Sequence, residues 1–186
     1  DLGRYERPLL YDPDPIGDGV DVMVCESTYG GALHPPQPLE ALRDALVAGM
    51  ARGGAIVIPA FAVERTQDIL LAIGKIQQME PKIADLPIHL DSPMAEKVDV
   101  LFKEFPESHR PIPNSDGTAF GCKNLTLHVT AEDSKRLNFV KGPHVIISAS
   151  GMAAGGRVLH HLHNHLSDKD ATIVFVGYQA LGTLGY

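Results

Sequence analysis

The chain has 186 residues, of which 44% are hydrophobic, and this length and composition suit one globular domain and exclude a disordered tail. Its net charge of −7 argues against a generally basic coat for nucleic acid, and no apolar run approaches the ~18 residues of a membrane span, so we expect no membrane partner. Two cysteines, Cys25 and Cys122, are too few for a disulfide scaffold or a cysteine-rich zinc module, so we expect a cytoplasmic protein.

Five short apolar runs, bounded by turn residues, predict the strands of a sheet. Each run is mostly continuous rather than alternating and is rich in Val and Ile, which is typical of strands that are buried on both faces. The predicted strands are residues 22–25, 55–58, 87–90, 145–148 and 172–176.

Helical periodicity falls between these runs. The predicted helices are residues 38–52, 64–79, 95–105, 130–140 and 154–166. The first ends in Gly53 and Gly54, which favour a helix stop, and the fourth opens with Thr130, a predicted N-cap. Residues 106–123 are rich in Pro, Asn, Ser and Gly and predict a long loop. The alternation of strand and helix predicts an α/β fold, with a mostly parallel sheet flanked by helices.

Small and polar residues follow every predicted strand. In an open parallel sheet, ligands bind beyond the carboxyl ends of the strands, so these residues predict a binding site. The alternative is that they only cap helices and form turns. The residues include Glu26, Ser27 and Gly30 after the first run, Arg65 and Gln67 after the second, Asp91 and Ser92 after the third, Ser150 and Gly151 after the fourth, and Gly177 and Gln179 after the fifth.

The segment SASGMAAGGR, residues 148–157, predicts that the ligand is an anion. Its glycines, including Gly151 and Gly156, let a ligand approach the main chain, and the helix that follows directs free N–H groups toward it. Ser150 can donate a hydrogen bond, and Arg157 can form a forked pair with phosphate oxygens. The chain has neither GxxxxGK[ST] nor GxGxxG directly after a strand, which weakens a nucleotide-binding interpretation.

Four histidines follow within six positions: His160, His161, His163 and His165. His161 and His165 are i,i+4 neighbours on a helix, a spacing that permits a metal pair. The pattern favours instead a solvated helix face for His163 and His165. His160 and His161 lie nearer the predicted anion site and could contact phosphate.

Five segments, in order, resemble the β-CASP family of metallo-β-lactamase-fold nucleases. They are CESTYGGALH, IPAFAVERTQDIL, LDSPMA, SASGMAAGGRVLHHL and FVGYQALGTLG. The family includes the cleavage and polyadenylation specificity factor endonuclease, its archaeal and bacterial relatives and, more distantly, ribonuclease J. The motif sequences resemble those of the prokaryotic relatives most. The resemblance implies that residues 1–186 are one Rossmann-like β-CASP domain cut from a larger protein. Residues 1–20 and 177–186 would then edge the absent metallo-β-lactamase domain.

The resemblance also implies a function: a zinc-dependent RNA-processing nuclease that hydrolyses phosphodiester bonds, of which this domain clamps the substrate. Two zinc ions belong to the complete protein and none is expected in this fragment, which we expect to be inactive alone. Asp1 resembles the aspartate that bridges the metals, and Glu26 resembles the acidic residue of the first β-CASP motif, so both are candidate catalytic residues. The expected RNA- or phosphate-binding residues are Arg65, Ser92, Ser150, Gly151, Gly156, Arg157 and His161. The expected partners are RNA and the absent domain, and a homodimer of the parent protein stays open.

The chain departs from the family pattern at two points. The HxHxDH metal motif is absent, since HLHNHLSD lies on a predicted helix and lacks the Asp-His pair. Glu64 stands where a glycine is usual before Arg65, which we expect to alter the local turn. Two alternatives stay open: a catalytically silent RNA-binding scaffold subunit, and a nucleotide- or sugar-phosphate-binding α/β domain.

Overall fold

A computed structural model describes residues 3–33, 36–112 and 119–186. The helices are α1 (Pro38–Arg52), α2 (Arg65–Met79), α3 (Pro93–Glu104), α4 (Ala131–Arg136) and α5 (Val158–His165). The strands are β1 (Ala55–Pro59), β2 (Ile88–Asp91), β3 (Leu125–Leu127), β4 (His144–Ser148) and β5 (Thr172–Ile173). They form one sheet in the order β3-β2-β4-β1-β5, in which every neighbouring pair is parallel. The predicted α/β class is confirmed.

Capping residues set the ends of several helices. Gly53 ends α1 with φ 86°, the left-handed conformation that glycine adopts without strain. Thr130 begins α4, and its hydroxyl and the Asp133 carboxylate cap each other's backbone N–H groups. Within residues 3–33, 36–112 and 119–186, no helix combines the length and the apolar character that crossing a membrane requires.

One face of the sheet is aliphatic. Side chains alternate between the two faces of a strand, so the paired residues Ile56 and Val145 point to the same side. They pack in the main core with residues of α1 and α2, including Leu46, Leu70 and Ile73. Burial of these branched side chains is the main source of stability for this layer.

The opposite face of the sheet is much more polar. Its buried residues include His144 and Ser148 of β4 and Asp91 of β2, with His161 of the covering helix α5. A small apolar cluster of Val57, Ala153, Val158 and Leu162 packs beside them. The sheet therefore separates an aliphatic layer from a layer that contains ionisable groups.

Several predicted elements differ from the structure, among them the fourth helix, which ends at Arg136 rather than at residue 140, and the fifth strand, which ends at Ile173 rather than at residue 176. Residues 22–25 are exposed chain rather than a strand, and Val24 is 97% exposed. Strand β3 was not predicted, because three residues are too few to show a pattern. Helix α5 begins at Val158 rather than at residue 154, because Ala153 and Gly156 adopt positive φ values that no helix tolerates.

Candidate functional site

Three strands end side by side at the edge where the sequence predicts a binding site. Pro59, which ends β1, and Asp91, which ends β2, both pair with Ser148, the last residue of β4. The amide of Ala60 continues this contact by donating to the carbonyl of Ser148 at 3.0 Å. The structure thus brings together the segments that follow β1, β2 and β4. Glu26, which was expected at the same edge, follows exposed chain instead of a strand.

The carboxylate of Asp91 is the centre of this edge and is fully buried. Its Oδ1 accepts a hydrogen bond from Nη1 of Arg157 at 2.7 Å. Its Oδ2 accepts from Oγ of Ser134 and from Nε2 of His161, each at 2.6 Å. Burial acts to raise the pKa of Asp91, but the hydrogen bonds from His161, Ser134 and Arg157 outweigh it and hold the pKa below its ordinary value. A charged carboxylate therefore joins β2 to α4 and α5.

The guanidinium of Arg157 also binds two backbone carbonyls. Nη1 donates to the carbonyl of His128 at 2.7 Å, and Nη2 donates to the carbonyl of Val129 at 2.9 Å. The guanidinium is thus turned toward the segment between β3 and α4. His161 is likewise interior, with its ring against Asp91 rather than in solvent. The predicted contacts of both side chains with RNA stay predictions.

The loop between β4 and α5, residues 149–157, contains most of the predicted anion site. The amide of Ser150 donates to the carbonyl of Gly155 at 3.2 Å, and the Ser150 hydroxyl accepts from the amide of Ala154 at 3.2 Å. The amide of Val158 closes the loop by donating to the carbonyl of Ala149 at 3.1 Å. Ala154 and Gly156 are exposed at its outer surface. The loop is therefore internally bonded and open to solvent on one side.

The glycines of this loop have two different surroundings. A Cβ added at Gly151 would lie 2.8 Å from the ring of Phe61, and one at Gly156 would lie 2.4 Å from the carbonyl oxygen of Ala149. Gly156 also has φ 78°. A Cβ at Gly155 would meet nothing within 4 Å. Internal packing thus requires Gly151 and Gly156, whereas Gly155 borders open space.

Ser92 and Arg65 lie at the starts of helices near the same edge. Ser92 is buried and caps α3, and its hydroxyl accepts from the amide of Ala95 at 3.3 Å. Arg65 begins α2, with Nη1 3.9 Å from Oδ2 of Asp68. Before it, Glu64 has φ 68° and ψ −57°, and the amide of Arg65 bonds to the carbonyl of Val63 at 2.8 Å. This is a γ-turn, a conformation that is strained for residues other than glycine.

Of the two candidate catalytic carboxylates, Asp1 and Glu26, the structure describes only Glu26. Asp1 lies outside the described residues. Glu26 is exposed, and the amide N–H of Thr28, which donates to its carboxylate at 2.9 Å, lowers its pKa below the ordinary value. Close to Glu26 in sequence, the hydroxyl oxygen of Tyr29 accepts from the amide of Tyr178 at 2.8 Å. The structure thus places this loop beside the residues that follow β5.

A second polar group lies on the same face of the sheet, and we call it the histidine cluster: His89, His128, His144 and His165. Nδ1 of His89 lies 3.0 Å from Nε2 of His128, and the ring centroids of His89 and His144 are 5.7 Å apart. The His144 and His165 centroids are 6.5 Å apart. Burial, together with His128 and His144, lowers the pKa of His89 to about 4. The His89 ring is therefore neutral at pH 7, and burial also lowers the pKa of His128, His144 and His165.

The sequence pattern indicates only part of this arrangement. His163 is exposed as predicted, but His165 is half-buried against His144 rather than solvated. Ser134 on α4 and the histidines His89, His128 and His144 were missed, since one isolated polar residue gives no periodic signal. Asp91 was noted after its strand but not selected, although a carboxylate that directly ends a buried strand is a usable signal.

The described residues do not assemble a metal site. Across residues 3–33, 36–112 and 119–186, no three His, Cys, Asp or Glu side chains are placed to hold a metal ion. Nε2 of His161, half of the metal pair that the sequence permitted, is bonded to Asp91.

Comparison with known proteins agrees with the sequence motifs. The family model of the Beta-Casp domain matches residues 66–186. The chain is 38% identical to Ribonuclease TTHA0252 of Thermus thermophilus, over all of this chain and 43% of that protein. It is 33% identical to an RNase J-like protein of Methanocaldococcus jannaschii, over all of this chain and 44% of that protein. It is 31% identical to Transcription termination factor FttA of Methanosarcina mazei, over 98% of this chain and 30% of that protein.

These matches cover the edge and the loop described above, since both lie largely within residues 66–186. The chain spans less than half the length of each of these relatives. The predicted family is confirmed: the chain belongs to the β-CASP family, and its residues 66–186 match the Beta-Casp domain.

Proposed function

We propose that this β-CASP domain clamps RNA in a larger, zinc-dependent enzyme that hydrolyses phosphodiester bonds. The observation that carries the proposal is the common edge of β1, β2 and β4, which presents the loop 149–157 to solvent. Ala154 and Gly156 are exposed, and a Cβ at Gly155 would meet nothing within 4 Å, so this side of the loop has room for a phosphate. Two of the relatives named above are called ribonucleases or RNase-like, which supports RNA as the substrate.

The affinity for RNA would come mainly from contacts with its phosphates. The chain has no Trp, and aromatic residues are 6% of it, so base stacking has few platforms. Binding of this kind weakens steeply as salt concentration rises, because each phosphate contact releases counterions.

A second domain of the parent protein would complete the enzyme. Two segments with exposed apolar side chains support this part of the proposal: Val22 and Val24 are 81% and 97% exposed, and Leu181 and Leu184 are 83% and 78% exposed. The bond from the Tyr178 amide to the Tyr29 hydroxyl brings these segments together. Exposed apolar side chains of this kind are typical of a surface that another domain covers.

The described residues do not provide a set of ligands for the zinc ions of the proposed enzyme. Glu26 is an exposed single carboxylate, and no group of three suitable ligands occurs in residues 3–33, 36–112 and 119–186. The metal ligands would therefore come mainly from the other domain.

The test is RNA cleavage by the full-length parent protein and by the 186-residue chain alone. We expect the parent to cut a labelled single-stranded RNA, to lose this activity in a chelator and to regain it with Zn²⁺, while the 186-residue chain stays inactive. Binding without cleavage by the parent would favour the scaffold alternative. Absence of RNA binding by the parent would refute the proposal, as would robust cleavage by the 186-residue chain.

A further inference from the structure

We infer that Arg157 and Asp91 are positioning residues, which hold the loop 149–157 in its RNA-binding shape without contacting RNA. The inference rests on the proposed function of that loop. It assigns to Arg157 a role different from the phosphate contact that its sequence pattern predicts.

The guanidinium of Arg157 is oriented toward acceptors inside the protein, which supports a positioning role. Its bonds to Oδ1 of Asp91 and to the carbonyls of His128 and Val129 use three of the five N–H groups of an arginine. The three acceptors lie on two different segments, the end of β2 and the chain between β3 and α4. These bonds fix the plane of the guanidinium, and the side chain is only 24% exposed.

The buried negative charge of Asp91 is a second reason to assign Arg157 a positioning role. The Asp91 carboxylate has no exposed surface, so its charge needs partners inside the protein. Arg157 is the permanently charged partner, and the two charges cancel at 2.7 Å. A guanidinium whose charge is already balanced attracts a phosphate less than a free one does. Removing Arg157 would leave Asp91 with Ser134 and His161 as its described partners.

Arg157 lies at the end of the loop 149–157, which also supports a positioning role. It is the last residue before α5, and the next amide, that of Val158, bonds to the carbonyl of Ala149 at the start of the loop. The loop is therefore closed at its base beside Arg157. Fixing this side chain to β2 sets the position of Ser150 and Gly155, which bond to each other across the loop.

The experiment measures RNA affinity of the full-length parent protein as a function of salt. The probe is a fluorescent single-stranded RNA in a buffer that contains a chelator to prevent cleavage, and binding is followed by anisotropy well below the melting temperature of each variant. The variants are Arg157→Ala, Arg157→Lys, Asp91→Asn and the double variant Asp91→Asn with Arg157→Ala. Arg43→Ala on α1, at an exposed pair with Asp44, is the control for the loss of one positive charge.

For a positioning role, we expect Arg157→Ala and Asp91→Asn to weaken binding by similar factors, about tenfold to a hundredfold, because a displaced loop loses several contacts at once. The double variant should be no weaker than the single ones, since both act through one pair. The slope of log affinity against log salt should fall equally in Arg157→Ala and Asp91→Asn, because both variants displace the same phosphate contacts of the loop, and it should be unchanged in Arg43→Ala. Arg157→Lys should restore part of the affinity, because the charge partner of Asp91 is kept.

A direct phosphate contact predicts different results. Arg157→Ala would then reduce the salt slope by about 0.7, the value for one phosphate of a single strand, while Asp91→Asn would leave the slope unchanged. That result, or unchanged RNA affinity in Asp91→Asn, would overturn the inference. Variants that only lower the melting temperature and bind RNA normally would overturn it as well. If the unaltered parent binds no RNA, the proposed function fails instead.

Discussion

The side-chain amide of Gln67 donates to Oδ1 of Asp99 at 2.8 Å, and both residues are buried. Oδ2 of Asp99 and Oε1 of Gln67 have no hydrogen-bond partner among the described residues. Burial raises the pKa of Asp99 to about 6, against the opposing effects of Gln67 and Lys103. The pair between α2 and α3 therefore holds a carboxylate with less stabilisation than water would give it.

We predict that Asp99→Asn stabilises the protein at neutral pH by about 1–2 kcal/mol, since it removes a poorly solvated buried charge. The folded-state pKa of about 6 lies above the unfolded value of 3.8, so native stability is full below about 3.8 and falls as pH rises toward 6. The melting temperature of Asp99→Asn should thus exceed that of the unaltered protein at pH 7.5, and the gap should close by pH 4. Asp44→Asn, on an exposed carboxylate of α1, is the control, and an equal gain there would contradict the explanation.

The γ-turn at Glu64 gives a second prediction, on backbone strain. Glu64→Gly should be more stable than Glu64→Ala by about 1 kcal/mol, because both lose the 2.5 Å pair with Arg7 but only glycine adopts φ 68° without strain. This order is the reverse of the one expected at an unstrained site, where alanine is favoured. Urea denaturation of the two variants measures the difference. A more stable alanine variant would show that the turn is not strained.

The histidine cluster predicts loss of stability in acid. The pKa of His89 is about 4 in the fold and 6.5 unfolded, so the unfolded chain binds the proton first. Stability contributed by the neutral ring is full above about pH 6.5 and is lost as pH falls toward 4. Burial also lowers the pKa of His144 and of His165, which adds to the same trend.

We therefore expect His89→Leu to flatten the fall of unfolding free energy between pH 6.5 and pH 4. At pH 7.5 the same variant should be less stable by about 1 kcal/mol, because the ring loses its hydrogen bond to His128. His163→Gln, at an exposed position of α5, is the control and should leave the pH profile unchanged. An acid profile that is identical in His89→Leu would exclude His89 as a source of the sensitivity.

The loop glycines give a fourth prediction, on packing. Gly156→Ala should destabilise the protein by about 2 kcal/mol or more, because its Cβ would lie 2.4 Å from the carbonyl oxygen of Ala149 at φ 78°. Gly155→Ala, one position earlier, should be nearly neutral, since its Cβ meets nothing within 4 Å. Thermal unfolding of the two variants compares them directly, and similar losses in both would contradict the described loop.

The sequence predicted the parts of this fold that produce a local pattern. Continuous Val and Ile runs identify β1 and β4 because both strands are buried on both faces. The run at residues 22–25 has the same composition, yet Val24 is 97% exposed, since the pattern reports apolar character and not what covers it. Arg157 shows a similar limit at the site. Its place after two glycines indicates a phosphate contact, whereas its actual partner Asp91 is 66 residues away in sequence and is set by strand order.

The buried carboxylate of Asp91 also determines where this domain can be recombined with relatives. Its bonding groups come from α4, from the end of the loop 149–157 and from α5, all of which follow β2 in the chain. A chimera whose junction falls between β2 and α4 takes Asp91 from one of the two combined sequences. It takes the donors Ser134, Arg157 and His161 from the other sequence. Crossovers before Ile88 and after His165 keep the set whole, so exchange of residues 88–165 as a block should preserve these bonds, whereas a junction between Asp91 and His161 divides them.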